Sequence, residues 1–313
     1  MPTRSPGERV VKLGAALDTP RLSVLTPFHN HDPSPLLARM KSAPAGVEFV
    51  LLDDGSVSAT LLSRVIAAAE TTGAPVRIVV WERNRGRAAG RNRLIAEARG
   101  EYVLFLDADM IPDAPDFLAR WLDVTAELRP VAAFGGLSLR HAEATAETAL
   151  HHNLFAASDC RNAVARSQAP AQFTASANLM VRRDFLAKHP FDGAFVGWGF
   201  EDVDWALSAA AHTEIFHIDN PATHAGLDDV ETLMRKSTEA GPNFARLAAK
   251  HSVQVERFSA HRIARALQRA PALPTLRKLF SWLARDPMGA APMSVRRAAF
   301  KLYRASHYAE HLA

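Results

Sequence analysis

The chain has 313 residues, 48% of them hydrophobic, with one cysteine and a formal net charge of +4. That length and apolar content suit one large domain or a domain with an appendage, and the lone thiol, Cys160, excludes a disulfide framework or a cysteine-rich zinc site and fits a reducing, cytoplasmic compartment. Residues 1–260 hold 27 Lys/Arg against 31 Asp/Glu while residues 261–313 hold 10 against 2, so the basicity belongs to a tail and argues against nucleic acid as a partner of the main fold.

In chain order, the opening arm (residues 1–19) has no apolar core of signal-peptide length, and no run of about eighteen apolar residues follows it, so no membrane-spanning segment is expected. Short β-rich runs then stand at "RLSVLTP" (21–27), "VEFVLLDD" (47–54), "VRIVVWE" (76–82), "EYVLFLD" (101–107) and "PVAAFGG" (130–136). Helical patterns such as "LLSRVIAAAE" and "AGRNRLIAEA" separate them. Strands apolar on both faces, alternating with helices, predict an α/β fold with a mostly parallel sheet flanked by helices. Such sheets bind ligands outside the carboxyl ends of their strands, and polar groups gather there: "TPFHN" (26–30), "DDGS" (53–56), "ERNRGRAAGRN" (82–92) and "DADM" (107–110).

Each of these has an ordinary reading as a turn, a helix cap or a solvated strand end, and the arginine-rich segment lacks the GxGxxG spacing of a dinucleotide site. Their convergence carries the functional reading. In an extended segment Asp107 and Asp109 point the same way, and two hard oxygen ligands suit Mg²⁺ or Mn²⁺ carrying a diphosphate. Arg85, Arg87, Arg91 and Arg93 would add charge against phosphate oxygens.

The blocks "LSVLTPFHN", "VEFVLLDDGS", "NRGRAAGRN", "GEYVLFLDADMIPD", "TASANLMVRRDFL" and "FDGAFVGWGFEDVDWAL" occur in an order that resembles the family 2 glycosyltransferases of the GT-A, nucleotide-diphospho-sugar transferase fold. The resemblance spans roughly residues 20–227. It implies a nucleotide-binding half (20–136), an acceptor half (137–230) and a basic helical C-terminal extension (231–313). By the same resemblance Thr26, Pro27, Asp53 and Asp54 hold the base and ribose of a sugar nucleotide, with a uracil base favoured. Asn84, Arg87 and Arg91 lie near ribose and diphosphate, and Asp107 and Asp109 form a DxD metal motif for Mn²⁺ or Mg²⁺. His224 is the third metal ligand, Trp198 and Gly199 face the acceptor, Asp202 is the catalytic base, and Glu201 positions hydroxyls. The implied reaction is an inverting transfer from a nucleoside-diphosphate sugar to a glycan or lipid-linked acceptor.

Two other functions stay open at this point: a catalytically inactive binding or assembly subunit, and a sugar nucleotidyltransferase. A haloacid-dehalogenase-type phosphohydrolase is disfavoured because Ile111 stands where its motif needs Thr or Ser. His217, a lone histidine, reads as a satisfied structural residue. Residues 141–171 read as a helix followed by a mobile loop that orders over bound donor. The tail, broken by prolines, reads as helices packed on the domain or as an interfacial element setting Leu276, Leu279, Phe280, Trp282 and Leu283 against Arg277, Lys278 and Arg285 at the anionic inner face of the membrane.

Overall fold

In the computed structural model, which describes residues 7–313, every one of the five β-rich runs forms a strand; residues 1–6 of the N-terminal arm lie outside the described residues. The strands are β1 (Glu8–Leu13), β2 (Leu22–Phe28), β3 (Val47–Asp54), β4 (Val76–Trp81), β5 (Tyr102–Leu106), β6 (Met110–Pro112), β7 (Ala132–Phe134), β8 (Leu137–Ser138), β9 (Asn178–Arg182), β10 (Ile215–His217) and β11 (Ala222–His224). Eight of them make one sheet in the order β1-β4-β3-β2-β5-β9-β7-β10, and β6-β11-β8 make a second, smaller one. The block β4-β3-β2-β5 is parallel throughout. Beyond it β9 runs antiparallel to both β5 and β7, and β1 runs antiparallel to β4.

Side-chain alternation explains why these strands read as continuous apolar runs. Leu22, Val24, Phe49, Leu51 and Leu104 enter the core on one face with Trp121, whereas Leu25, Val50, Leu52, Val103 and Phe105 enter the core on the other with Leu94 and Trp205. Helices Ala59–Glu70 and Phe117–Glu127 cover the first face, and Arg87–Glu97 and Glu201–Ala209 cover the second. At the amino ends of the strands, Arg77 makes two hydrogen bonds to Glu48, which also accepts from Ser23 and the Arg99 N–H, and Arg77 Nε lies 3.1 Å from Glu97; this buried ion pair lies away from the ligand edge.

Strand β1 belongs to the sheet although its segment reads as an arm. Its Glu8 accepts hydrogen bonds from the Trp81 indole and from Arg93. A six-residue strand carrying Arg9 and Lys12 has too little apolar content to announce itself.

The 141–171 segment is not a long loop. It folds as helix Ala149–Ser158, helix Ala163–Arg166 and a 3₁₀ turn at Pro170–Phe173. Arg166 is the reason: 2% exposed, it donates to the carbonyls of Arg161 and Ile218 and lies 3.6 Å from Asp219 and 5.3 Å from the centre of the Phe134 ring. His217 accepts from Arg166 and contacts the Pro170 carbonyl, and burial holds its pKa down to about 4.

After residue 230 the chain is helical, and the helix Met293–His311 is the centre of that layer. Its Ala305, Tyr308 and Ala309 pack with Phe244 and Leu247 against Phe195 and Leu207, and its Ala299 and Phe300 pack with Leu233, Met234 and Leu150. Among the described residues no helix is long and apolar enough to cross a membrane.

Candidate active site

The crevice lies where the winding of the sheet reverses. Strands β3 and β4 extend it to one side of β2 and β5 returns to the other, the position at which doubly wound sheets bind ligands. Strand β2 stays paired with β3 through Phe28 but leaves β5 after Leu25, so the two carboxyl ends part beside Thr26, Pro27 and Asp107. Thr26 is buried and Pro27 half-buried at this lip.

Asp53 and Asp54 close β3, both largely buried. Asp53 accepts the Ser56 N–H at 2.8 Å, and Asp54 accepts the N–H groups of Arg85 and Gly86 at 2.6 and 3.0 Å. Burial pushes the Asp54 carboxyl up in spite of those two donors. Gly55, at φ 75°, is required between them: a Cβ there would lie 2.5 Å from Arg83 C and Asn84 N. Asp54 is thus a clasp between the β3 turn and the loop carrying Asn84, which is exposed, and Arg87, which opens the next helix.

Asp107 and Asp109 do not lie together on one face of an extended strand, as their spacing suggests. Residues 107–110 form a turn closed by Met110 N–H donating to the Asp107 carbonyl at 3.0 Å, so the turn rather than the pleat sets the two carboxylates. Asp107 accepts from Arg91 at 3.1 Å; burial would raise its pKa, but the charges of Arg91 and Arg87 prevail and lower it. Asp109 is held from the other side. Its carbonyl accepts the Ala225 N–H at 2.9 Å, and its carboxylate fills the space where a Cβ on Gly226 would stand, 2.1 Å from Oδ2.

The pairing of β11 with β6 sets His224 opposite Met110 and carries its Nε2 to 3.4 Å from Asp109 Oδ2. The ring stacks on Phe155, with centroids 4.9 Å apart, and its buried Nδ1 has no hydrogen-bond partner among the described residues. Arg93 is withdrawn from any phosphate, because Glu8 and Glu97 hold it.

Across the crevice, Gly197, Gly199 and Phe200 all take positive φ (80°, 89° and 73°) before the helix Glu201–Ala209. Arg91 joins this loop to the acid turn. It is 2% exposed and donates to Glu201 at 2.6 Å and to Asp107 at 3.1 Å. Burial opposes its charge, but Asp107, Glu201 and Asp202 hold the guanidinium more firmly protonated than usual. Glu201 and Arg91 therefore satisfy one another inside the protein, and Arg87, 4.0 Å from Glu201 and half-exposed, is the more accessible cation.

Among the described residues Asp202 accepts only its neighbour's Val203 N–H, at 2.8 Å, and burial, reinforced by the Glu201 charge, pushes its pKa up to about 6. A carboxyl tuned in that way is suited to proton transfer near neutral pH.

Asp107, Asp109 and His224 are the candidate metal set. Among the described residues no group of three or more His, Cys, Asp or Glu side chains is gathered to hold an ion, and the three meet only in the Asp109–His224 contact. Their chemistry nonetheless fits: two carboxylate oxygens with an imidazole suit Mn²⁺, and Mg²⁺ less well because of the nitrogen donor.

Four residues that the sequence gives no pattern for complete the cleft. Lys236 lies 2.6 Å from Asp228 and 5.5 Å from the centre of the Trp198 ring, which Arg87 also approaches at 5.7 Å. Asp228 N–H donates to His151, whose pKa burial and the nearby His224 hold down to about 4. Asn243 donates to the carbonyls of the glycine-rich loop. His151 lies 77 residues from Asp228, and Asn243 44 to 47 residues from the carbonyls of Gly199 and Val196, so no local signal marks these contacts.

The family model described as "Glycosyl transferase family 2" matches residues 23–189. The chain belongs to this family. It is 36% identical over 102 residues to a dodecaprenyl-phosphate galacturonate synthase of Rhizobium johnstonii, covering 30% of each chain. It is also 36% identical over 122 residues to an undecaprenyl-phosphate 4-deoxy-4-formamido-L-arabinose transferase of Pseudomonas paraeruginosa, covering 34% of this chain and 35% of that one. The matches thus span about a third of the length of these curated relatives.

Among solved structures the chain is similar to the mannosyltransferase PcManGT of Pyrobaculum calidifontis in complex with GDP-Man and Mn²⁺, with TM-score 0.60, 19% identity, and 93% of this chain and 87% of that one covered. It is also similar to residues 1–349 of S. aureus TarS in complex with UDP, with TM-score 0.53, 17% identity, and 92% and 90% covered. These likenesses establish the GT-A fold.

Proposed function

We propose that this family 2 protein transfers a sugar from a nucleoside-diphosphate sugar, a UDP-sugar foremost, to a glycan or lipid-linked acceptor with inversion at the anomeric carbon. The observation that carries this reading is Arg91, whose one buried guanidinium ties Glu201, beside the candidate base Asp202, to Asp107 in the acid turn. Donor phosphates and acceptor hydroxyl then share a single crevice.

In the reaction the acceptor oxygen bonds to the anomeric carbon as the bond from that carbon to the diphosphate oxygen breaks. The hydroxyl proton passes to the Asp202 carboxylate, and the electron pair leaves with the nucleoside diphosphate. Thr26, Pro27 and Asp53 line the base and ribose end, Asn84 and Arg87 stand near the diphosphate, Asp54 holds their loop in place, and Trp198 and Gly199 face the acceptor. A divalent ion, Mn²⁺ before Mg²⁺, would be held by Asp107, Asp109 and His224 and would supply charge against the leaving diphosphate.

The curated relatives' names support a lipid-linked acceptor. The tail offers a peripheral membrane contact on the cytoplasmic side: Leu279 and Trp282 stay 48% and 49% exposed beside exposed Lys278. Arg277 and Arg285 contribute less there, since Glu310 and Glu231 pair with them. Leu279→Glu/Trp282→Glu is expected to lose flotation with anionic vesicles, and flotation equal to wild type would refute the contact.

The first experiment is calorimetric titration of UDP, GDP, dTDP and CDP, with and without Mn²⁺, into wild type and Asp107→Ala/Asp109→Ala. Metal-dependent binding of one nucleotide, lost in the double variant, is the expected result. Turnover of the matching sugar nucleotide then separates a transferase from an inactive binding subunit.

A further inference from the structure

The loop Gly197–Phe200 is an expensive conformation. Gly197, Gly199 and Phe200, three of four consecutive residues, occupy or border the left-handed region, where a bulky residue such as Phe200 is strained. Among the described residues no hydrogen bond within the loop offsets that strain. The C-terminal extension supplies what is missing. Phe200 places its ring 5.3 Å from Phe244 and 5.7 Å from Tyr308. Asn243, 4% exposed, points its amide nitrogen at three loop carbonyls: Val196 at 3.0 Å, Trp198 at 3.3 Å and Gly199 at 3.0 Å.

Two amide hydrogens shared among three carbonyls make a compact clamp. These carbonyls face one side chain because the left-handed turns rotate them inward. In an ordinary turn they would diverge. Without the amide, the carbonyls of Val196, Trp198 and Gly199 would lose this shared donor, and the loop would relax toward conformations that satisfy them. Trp198, and the start of the helix that carries Asp202, would move with it.

We infer that Asn243 is a positioning residue of the acceptor side: from the helical extension it holds the Gly197–Phe200 loop, and with it Trp198 and Asp202, in the orientation that transfer requires. It touches neither substrate nor reacting atoms. The extension therefore completes the acceptor site. This rests on the transferase reading for its kinetic consequence alone.

The test uses the full chain with its five tryptophans labelled as 5-fluorotryptophan, the Trp198 resonance being assigned with Trp198→Phe. Asn243→Ala and the volume-matched Asn243→Leu are compared with Lys250→Ala, which removes a contact to Asp192 and Asp204 from the same helix without touching the loop. Either Asn243 variant that folds carries the test. The ¹⁹F line of Trp198 is expected to shift or broaden in the Asn243 variants and to stay in place in Lys250→Ala. Transfer kcat is expected to fall about 100-fold, the scale of a 1 Å misplacement, with nucleotide Kd unchanged.

A Trp198 line unmoved by loss of the amide would overturn the proposal. So would a nucleotide Kd that weakens in step with kcat, since that marks general disruption. A shifted Trp198 line in a protein whose wild type turns over no sugar nucleotide would keep the clamp and discard the transferase reading instead.

Discussion

The two sides of the crevice are held by different means. The donor side is built from strand ends in a parallel sheet, and its loops are fastened by neighbours: Asp54 to the N–H groups of Arg85 and Gly86, Asp53 to Ser56. The acceptor side is a strained loop held from more than forty positions later through Asn243. The turns at Asp53 and Asp54 are held by the adjacent strand end, whereas the acceptor side is open to remote damage; Arg91, with Arg87 close to Glu201 and Trp198, makes the two answer to each other.

The sharpest way to separate them is Asp202→Asn. Transfer should fall by about 10³-fold, within the range of a lost general base, while calorimetric nucleotide affinity is retained. The same variant should melt about 2 °C higher: Asp202 has a raised pKa, its charged form is disfavoured in the fold, and a neutral isostere relieves that. Retained transfer would dismiss Asp202 as base.

Next is Arg91→Met, which breaks the bridge and leaves buried Glu201 with the half-exposed Arg87, 4.0 Å away, as its remaining cation. We expect a loss of about 3 kcal/mol in urea unfolding, with donor binding and transfer both impaired, so that the contrast between the sides disappears. Gly226→Ala probes the donor side alone. Its Cβ must displace the Asp109 carboxylate, and Mn²⁺-dependent nucleotide affinity should drop about tenfold while metal-free binding changes little.

The mildest test is pH. Asp202 must be ionised to accept a proton, so kcat should be fully developed above its pKa, halve near pH 6, and fall as pH drops further. A profile flat from pH 5 to 8 would contradict that assignment.

The strands of the donor side were legible because burial on both faces writes an unbroken apolar run, as in VEFVLLDD, all of it buried. The acids after β5 were legible as a pair, but their geometry was not: the turn at 107–110 depends on β6 pairing with β11, over one hundred residues away. Arg93 looked equivalent to Arg91 in sequence, and only the arrival of Glu8 on β1 tells the two apart. Asn243, Lys236 and Asp228 were invisible because their partners lie on other elements. Arg166 shows the same limit in the 141–171 segment, where one buried guanidinium organises short helices that have no periodicity of their own.

Strand β1 has a consequence for handling the protein. It covers β4, whose sequence VRIVVW is β-prone and, apart from Arg77, apolar. A chain started at residue 20 would leave that strand as a bare edge, with unpaired amides ready to recruit another chain. Such a variant is expected to aggregate during expression even though every residue of the cleft is present.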